Sequence, residues 1–205
     1  MKKGNNKKAT KKPAWPIYAA VAAVVVIAII IAVLAGGKNK ADGITAKIEI
    51  ENYGTIILAL DKEAAPETVE NFVTLAKEGF YDGLTFHRIM EGFMMQGGDP
   101  LGNGTGGSEK TIKGEFAANG VNNPLSHTRG AISMARSQMP DSASSQFFIV
   151  HQDSTFLDGN YAVFGYVTEG IEIVDAVCTD AQPIDGNGTI PAEAQPVITK
   201  ITIME

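Results

Sequence analysis

The chain has 205 residues, of which 44% are apolar, and it contains one cysteine, so no internal disulfide and no cysteine-rich zinc module can form. Its formal net charge of −6 conceals an uneven distribution, because residues 38–205 hold 11 basic and 23 acidic residues, whereas six lysines lie within residues 1–12. The acidic part argues against nucleic-acid binding, which requires clustered Lys and Arg to neutralise phosphates.

A long apolar run follows the basic N-terminus. Residues 17–35 are 19 residues without a charge, and Trp15 and Tyr18 mark one end of the run as interfacial aromatic residues do. A helix of this length spans roughly 30 Å, the hydrocarbon thickness of a bilayer. We therefore predict a basic cytoplasmic tail over residues 1–16 and a single-pass transmembrane helix over residues 17–35. The positive-inside rule places the rest of the chain on the extracytoplasmic side.

The apolar run has two other interpretations, a buried core helix and a cleaved signal peptide. A buried core helix seldom stays apolar on every face over five turns. Cleavage of a signal peptide after Ala35 would release a secreted protein, but the run exceeds the usual signal-peptide core of about 7 to 15 residues. We expect the run to stay attached, in a protein of the bacterial cell envelope.

The exported part begins after a short linker. Residues 36–43 are polar and glycine-rich, and a single domain is predicted over residues 44–205. Alternating residues over 46–51 and an apolar run over 55–60 flank the turn-forming sequence Asn-Tyr-Gly at 52–54. This arrangement predicts a β-hairpin that opens the domain.

The remaining elements are mostly short strands. A helix is predicted from Pro66, which suits a first helical position, until Gly79, and a second short helix is predicted over residues 171–177. The other apolar segments, separated by glycine, are Phe86 to Met90, Phe93 to Gln96, Ala131 to Ala135, Gln146 to Val150, Ala162 to Val167 and Val197 to Ile203. Many short strands with two helices indicate a mainly β fold, a closed antiparallel barrel.

The sequence contains no cofactor or metal motif that its flanking residues support. Residues 102–107 have the spacing G-x-G-x-x-G, but no helical pattern follows them, so the glycines are interpreted as a tightly turning surface loop. The three histidines, His87, His127 and His151, lack paired ligand spacing. We predict no metal site and no cofactor.

The stretch FHRIMEGFMMQGGDP at residues 86–100 stands out. On an alternating strand Arg88 shares a face with Phe86, and Met94 shares a face with Gln96. Periodicity alone leaves two interpretations open. Arg88 could lie on an outer face beside a carboxylate while Phe93 and the methionines fill the core, or these residues could form a binding site.

This stretch resembles the signature FHR-x-x-x-GF-x-x-QGGD of the cyclophilin-type peptidyl-prolyl cis-trans isomerases. Further matches follow in family order: GNGTGG at 102–107, GEF at 114–116, SMA at 133–135, SSQFFI at 144–149 and LDGNYAVFG at 157–165. The resemblance covers essentially all of residues 44–205. It implies a closed eight-stranded antiparallel barrel capped by two α-helices, and a monomeric, cofactor-free domain that binds proline-containing polypeptides and isomerises X-Pro bonds.

The resemblance also implies roles for individual residues. Arg88 would stabilise the twisted amide, Gln96 would position the substrate backbone, and Phe93 completes the catalytic set. The substrate-binding residues would be Phe86, His87, Met94, Ala135, Arg136, Gln146, Phe148, Phe156, Leu157 and Tyr161. Phe93, Met94, Phe148 and Leu157 would grip the proline ring, and the main chain of Arg136 would pair with the peptide.

This chain departs from the family pattern at three of these positions. Phe156 stands where well-known members have Trp, Tyr161 where they have His, and Arg136 where many have Asn. These changes leave open which residue is preferred before the proline. A non-catalytic module that binds proline peptides, or a chaperone, is the alternative function.

Overall fold

The computed structural model describes residues 43–204. The predicted tail, the predicted membrane helix at residues 17–35 and the linker as far as residue 42 lie outside the described residues. Neither of the two α-helices between residues 43 and 204 has the length and apolar content that a bilayer span requires.

The described part is mainly β, as predicted. Its eight strands are β1 (Thr45–Ile50), β2 (Gly54–Leu60), β3 (Thr85–Met90), β4 (Met94–Asp99), β5 (Ala131–Met134), β6 (Phe147–Val150), β7 (Val163–Glu169) and β8 (Ile198–Met204). They form one sheet in the order β3-β4-β6-β5-β7-β2-β1-β8, and every paired neighbour is antiparallel. The predicted opening hairpin is β1 with β2.

The prediction of a closed barrel needs correction at one seam. No ladder joins the outermost strands β3 and β8 in the described part of the chain, where the connection consists of an isolated bridge between Thr85 and Val197 and a few backbone hydrogen bonds. The N–H of Phe86 donates to the carbonyl of Pro196 at 2.9 Å. Because Pro196 has no N–H to return, the ladder cannot continue through it. The sheet is therefore curled but open.

Two helices accompany the sheet. Helix α1 (Pro66–Lys77) begins at the predicted proline, and Gly79, with φ of 72°, follows its end. Helix α2 (Ile171–Asp180) extends three residues beyond the predicted end. Helix α1 contacts β8, whereas α2 contacts β2 and β4. The buried face of α1 includes Phe72, which joins the core between the helix and the sheet.

The N-terminus of α1 is capped by a residue far away in the sequence. Ala65, at the N-cap position, provides no side-chain hydrogen bond. The buried carboxylate of Glu115 instead accepts hydrogen bonds from the backbone N–H groups of Glu67 at 3.1 Å and Thr68 at 2.8 Å, and from the Thr68 hydroxyl at 2.7 Å. A negative charge at this position satisfies otherwise unpaired donors and favours the positive end of the helix dipole.

We expect Glu115→Ala to lower the free energy of unfolding by about 2 to 3 kcal/mol, because buried donors lose a charged acceptor. Urea denaturation followed by circular dichroism measures the change. Glu109→Ala, at an exposed glutamate in the preceding loop, is the matched control and should change stability by less than about 0.5 kcal/mol. Equal stabilities of the two variants would contradict the capping role.

Candidate active site

Strands β3 and β4 place Arg88 opposite Gln96, because the two residues are register partners in the antiparallel pair. The Arg88 Nη1 donates to Gln96 Oε1 at 3.2 Å, and Gln96 Nε2 donates to Gln146 Oε1 at 2.8 Å. Gln146 Nε2 then donates to the carbonyl of Gly106 at 2.7 Å. This chain of hydrogen bonds fixes the orientation of both glutamine amides and of one edge of the guanidinium.

The other edge of Arg88 is held by the backbone and by two methionines. Its Nε donates to the carbonyl of Asn187 at 2.7 Å. The sulfurs of Met90 and Met94, which are weak acceptors, lie 3.4 and 3.8 Å from guanidinium nitrogens. Burial lowers the pKa of Arg88, but an arginine remains charged at physiological pH. Between residues 43 and 204, no ion pair joins Arg88 to a carboxylate, which does not fit an outer-face position, whereas Met94 and Met95 are buried in the core as that interpretation expected.

Beside this guanidinium lies a cavity of about 220 Å³. The Arg88 Cζ stands 5.9 Å from the centre of the Phe93 ring, close enough for a cation–π contact. The residues that line the cavity all belong to the set predicted from sequence: Arg88, Phe93, Met94, Gln96, Ala135, Arg136, Phe148, Leu157 and Tyr161. The arrangement is a recess with aromatic, aliphatic and polar walls, and the guanidinium of Arg88 is held in place at its edge.

A second cavity, of about 320 Å³, adjoins the first and shares Gln96, Ala135 and Arg136 with it. Gln146, also in the predicted set, lines this second cavity together with serine hydroxyls. The glycine-rich segment 104–107 forms one of its walls. Sequence reasoning assigned that segment only as a surface loop, because nothing in its composition shows which cavity it faces.

Arg136 lines both cavities, and its side chain has several contacts. Its Cζ lies 4.9 Å from the centre of the Phe116 ring and 4.6 Å from that of Tyr161. The guanidinium donates to the carbonyl of Asn160 through Nε at 3.0 Å and Nη2 at 2.7 Å. From sequence, the main chain of Arg136 was expected to pair with the peptide and its side chain to change the wall of the site; in the structure these contacts hold that side chain in place.

Phe148, on the wall of the first cavity, is supported from behind by His127. The two rings are stacked at 5.9 Å with an interplanar angle of 13°. Burial lowers the pKa of His127, and hydrogen bonds join its Nδ1 to Asp158 Oδ1 at 2.7 Å and its Nε2 to the Ser133 hydroxyl at 3.0 Å. This order resembles a hydrolytic Ser-His-Asp triad, but Ser133 is completely buried and out of reach of a substrate.

Three residues of the predicted set lie away from the cavity walls. Phe86 is completely buried in the core, 6.0 Å from the Phe147 ring, because register shifts on either side of Phe86 interrupt the expected alternation with Arg88. His87 is buried, and within the described part neither of its ring nitrogens has a hydrogen-bond partner. Phe156 is 72% exposed, with its ring 5.7 Å from that of Phe93.

The fold and this site can be compared with known proteins. A family model described as cyclophilin type peptidyl-prolyl cis-trans isomerase/CLD matches residues 45–203. The peptidyl-prolyl cis-trans isomerase B of Bacillus subtilis is 52% identical over 123 residues, which cover 60% of this chain and 82% of that protein. Its namesake from Escherichia coli is 38% identical over 162 residues, covering 75% of this chain and 96% of that protein.

A solved structure shows the same fold. The cyclophilin type peptidyl-prolyl cis-trans isomerase of Cryptosporidium parvum, crystallised in the presence of the dipeptide Ala-Pro, has a TM-score of 0.69 and 30% identity, covering 78% of this chain and 99% of that one. The curved eight-stranded antiparallel sheet with two helices is thus a cyclophilin fold. The chain belongs to the cyclophilin-type peptidyl-prolyl cis-trans isomerase family, and its activity is the isomerisation of X-Pro bonds.

Proposed function

We propose that Arg88 performs this reaction by stabilising the twisted state of the X-Pro amide. Resonance gives the planar C–N bond partial double-bond character, and its rotation has an activation energy of about 20 kcal/mol. In the twisted state the proline nitrogen becomes pyramidal and regains a lone pair that can accept a hydrogen bond. A donor that hydrogen-bonds to this nitrogen only in the twisted state accelerates the reaction, since it lowers the barrier without tightening the binding of the planar substrate.

The observation that supports this proposal is the restrained guanidinium of Arg88 at the edge of the first cavity. Phe93, Met94, Phe148 and Leu157 enclose space for a proline ring beside Arg88. Gln96 would hold the substrate backbone while its Oε1 keeps Arg88 in place. Arginine suits the task because its planar fork offers five N–H donors, so some remain for a substrate after the protein contacts are made. The reaction requires no acid, base, metal or cofactor.

A protease-coupled assay on a proline-containing tetrapeptide separates catalysis from binding alone. We expect the full chain to accelerate cis-to-trans conversion in proportion to enzyme concentration. A non-catalytic binding module would hold the same peptide, as measured by calorimetry, and leave the conversion rate at its spontaneous value. That result would contradict the proposed mechanism in favour of the binding function.

We further propose that the enzyme is a monomer anchored in the bacterial cell membrane, where it acts on exported or envelope proteins. In this arrangement residues 1–16 are cytoplasmic, residues 17–35 span the bilayer, residues 36–43 are a linker and residues 44–205 form an outward-facing domain. The uncharged run of 19 residues and the preceding lysines support this topology.

Topology is tested by protease treatment of intact spheroplasts and by intact-mass analysis of the membrane fraction. We expect the full-length mass in the membrane and digestion of the domain in spheroplasts without lysis. Chains that begin near Gly36 would contradict the anchor, and a domain that becomes sensitive only after lysis would contradict the outward orientation. A single species of monomeric mass in detergent solution is the expected oligomeric state.

A further inference from the structure

A segment distant in the sequence runs along β3 beside Arg88. The N–H of Ile89 donates to the carbonyl of Gly188 at 2.8 Å, and the N–H of Ile190 donates to the carbonyl of His87 at 3.0 Å. Arg88 itself forms an isolated antiparallel bridge with Thr189. The edge strand that carries the arginine is therefore covered at this point by the chain around residue 189.

This covering segment is a tight turn organised by the carboxylate of Asp185. Its Oδ1 accepts from the backbone N–H groups of Asn187 at 2.9 Å and Thr189 at 3.0 Å, and its Oδ2 accepts from the Thr189 hydroxyl at 2.8 Å. Gly188, with φ of 87°, brings the backbone against β3 at a position where a Cβ atom would collide with Met90. The carboxylate thus adds local hydrogen bonds to an exposed turn whose following residues are tied to β3 by backbone hydrogen bonds.

The turn presents one backbone group to the active site. The carbonyl of Asn187 accepts the Nε–H of Arg88 at 2.7 Å, which is the shortest hydrogen bond that the described residues make to this guanidinium. The Asp185 carboxylate also opposes the lowering effect of burial on the pKa of Arg88. Asp185 is therefore linked to Arg88 through the geometry of the turn, although it does not touch the guanidinium.

We infer that Asp185 is a positioning residue for the isomerisation, which fixes the Asn187 carbonyl so that the Arg88 fork points at the proline nitrogen. The inference rests on the proposed role of Arg88. If the turn loosens, Arg88 loses its Nε restraint and samples orientations in which it cannot meet the twisted amide. Because that hydrogen bond to the substrate forms only in the twisted state, the loss falls on kcat rather than on KM.

The test compares substitutions at Asp185 in the full chain by the protease-coupled assay. Asp185→Ala is expected to lower kcat about tenfold, with KM changed less than about twofold, as for loss of a charged hydrogen bond. Asp185→Asn keeps an acceptor oxygen for the turn and is expected to retain kcat within about threefold of wild type. An asparagine variant as impaired as the alanine variant would overturn the inference, since turn geometry would then not be the cause.

Two further variants separate this inference from a merely structural effect. In the Arg88→Ala background, Asp185→Ala should cause no additional loss of kcat, because residues that act through one another are not additive. A further tenfold loss there would overturn the inference. Asp61→Ala is the matched control, because the Asp61 carboxylate also organises a turn, accepting from the N–H groups of Glu63 and Ala64, but lines neither cavity. It should leave kcat unchanged.

The single variant Arg88→Ala distinguishes failure of the proposed function from failure of the positioning role of Asp185. Wild-type kcat in Arg88→Ala would contradict the proposed function itself. A large loss in Arg88→Ala combined with wild-type kcat in Asp185→Ala would overturn only the positioning role. Thermal unfolding of each variant confirms that the folded fraction is the same at the assay temperature.

Discussion

Arg88→Ala is expected to lower kcat/KM by about 100- to 1000-fold, the usual result of removing one preorganised donor from a site of transition-state charge. The loss should appear in kcat, because the residues proposed to hold the proline ring are Phe93, Met94, Phe148 and Leu157, which this variant leaves intact. The protease-coupled assay measures this change, and calorimetry with the same peptide should show that its dissociation constant rises by less than about threefold.

Arg88→Lys tests the geometry of the donor separately from its charge. A lysine has no rigid planar fork with which to donate to both the Asn187 carbonyl and Gln96 Oε1. We therefore expect kcat/KM of Arg88→Lys to be less than about ten times that of Arg88→Ala. Arg129→Ala is the matched arginine control, because Arg129 pairs with Asp175 and lines neither cavity. This variant should keep wild-type kcat/KM. Equal rates for Arg88→Ala and wild type would refute the mechanism.

Phe72→Ala is expected to cause the largest loss of stability, about 3 to 5 kcal/mol. The side chain is completely buried, and its ring centre lies 5.3 Å from those of Tyr81 and Phe164 and 5.5 Å from that of Phe147. Truncation leaves a cavity where α1 meets the sheet, and it also removes three aromatic contacts. Urea denaturation of the full chain measures the free energy of unfolding.

Phe72→Leu keeps most of the volume and should cost about 1.5 kcal/mol, which provides a measurement if the alanine variant is too unstable to fold. The matched control is Phe156→Ala at a phenylalanine that is 72% exposed, and its expected stability loss is about 1 kcal/mol or less. A loss for Phe72→Ala no larger than that of the control would show that α1 is not held by this aromatic cluster.

Local sequence patterns were sufficient to predict secondary-structure elements of the fold. Alternation predicted the hairpin of β1 and β2, and a proline followed by residues at helical spacing predicted the start of α1 at Pro66. Ordered motifs identified the family, and within the first cavity Arg88 and Gln96 come together through the antiparallel pairing of β3 and β4. These features depend on neighbours within a few residues or across one strand pair.

The tertiary structure decided everything that depends on register shifts and on contacts between distant segments. Register shifts beside Phe86 buried that side chain, and Pro196 left the seam between β3 and β8 open. The carbonyl that holds Arg88 belongs to Asn187, 99 residues away in the sequence. Such a contact leaves no periodicity in the local sequence, because it is formed by the closing of the sheet and not by the propensity of either segment. Sequence therefore identified Arg88 as a candidate catalytic residue, and only the folded chain showed which groups orient its guanidinium.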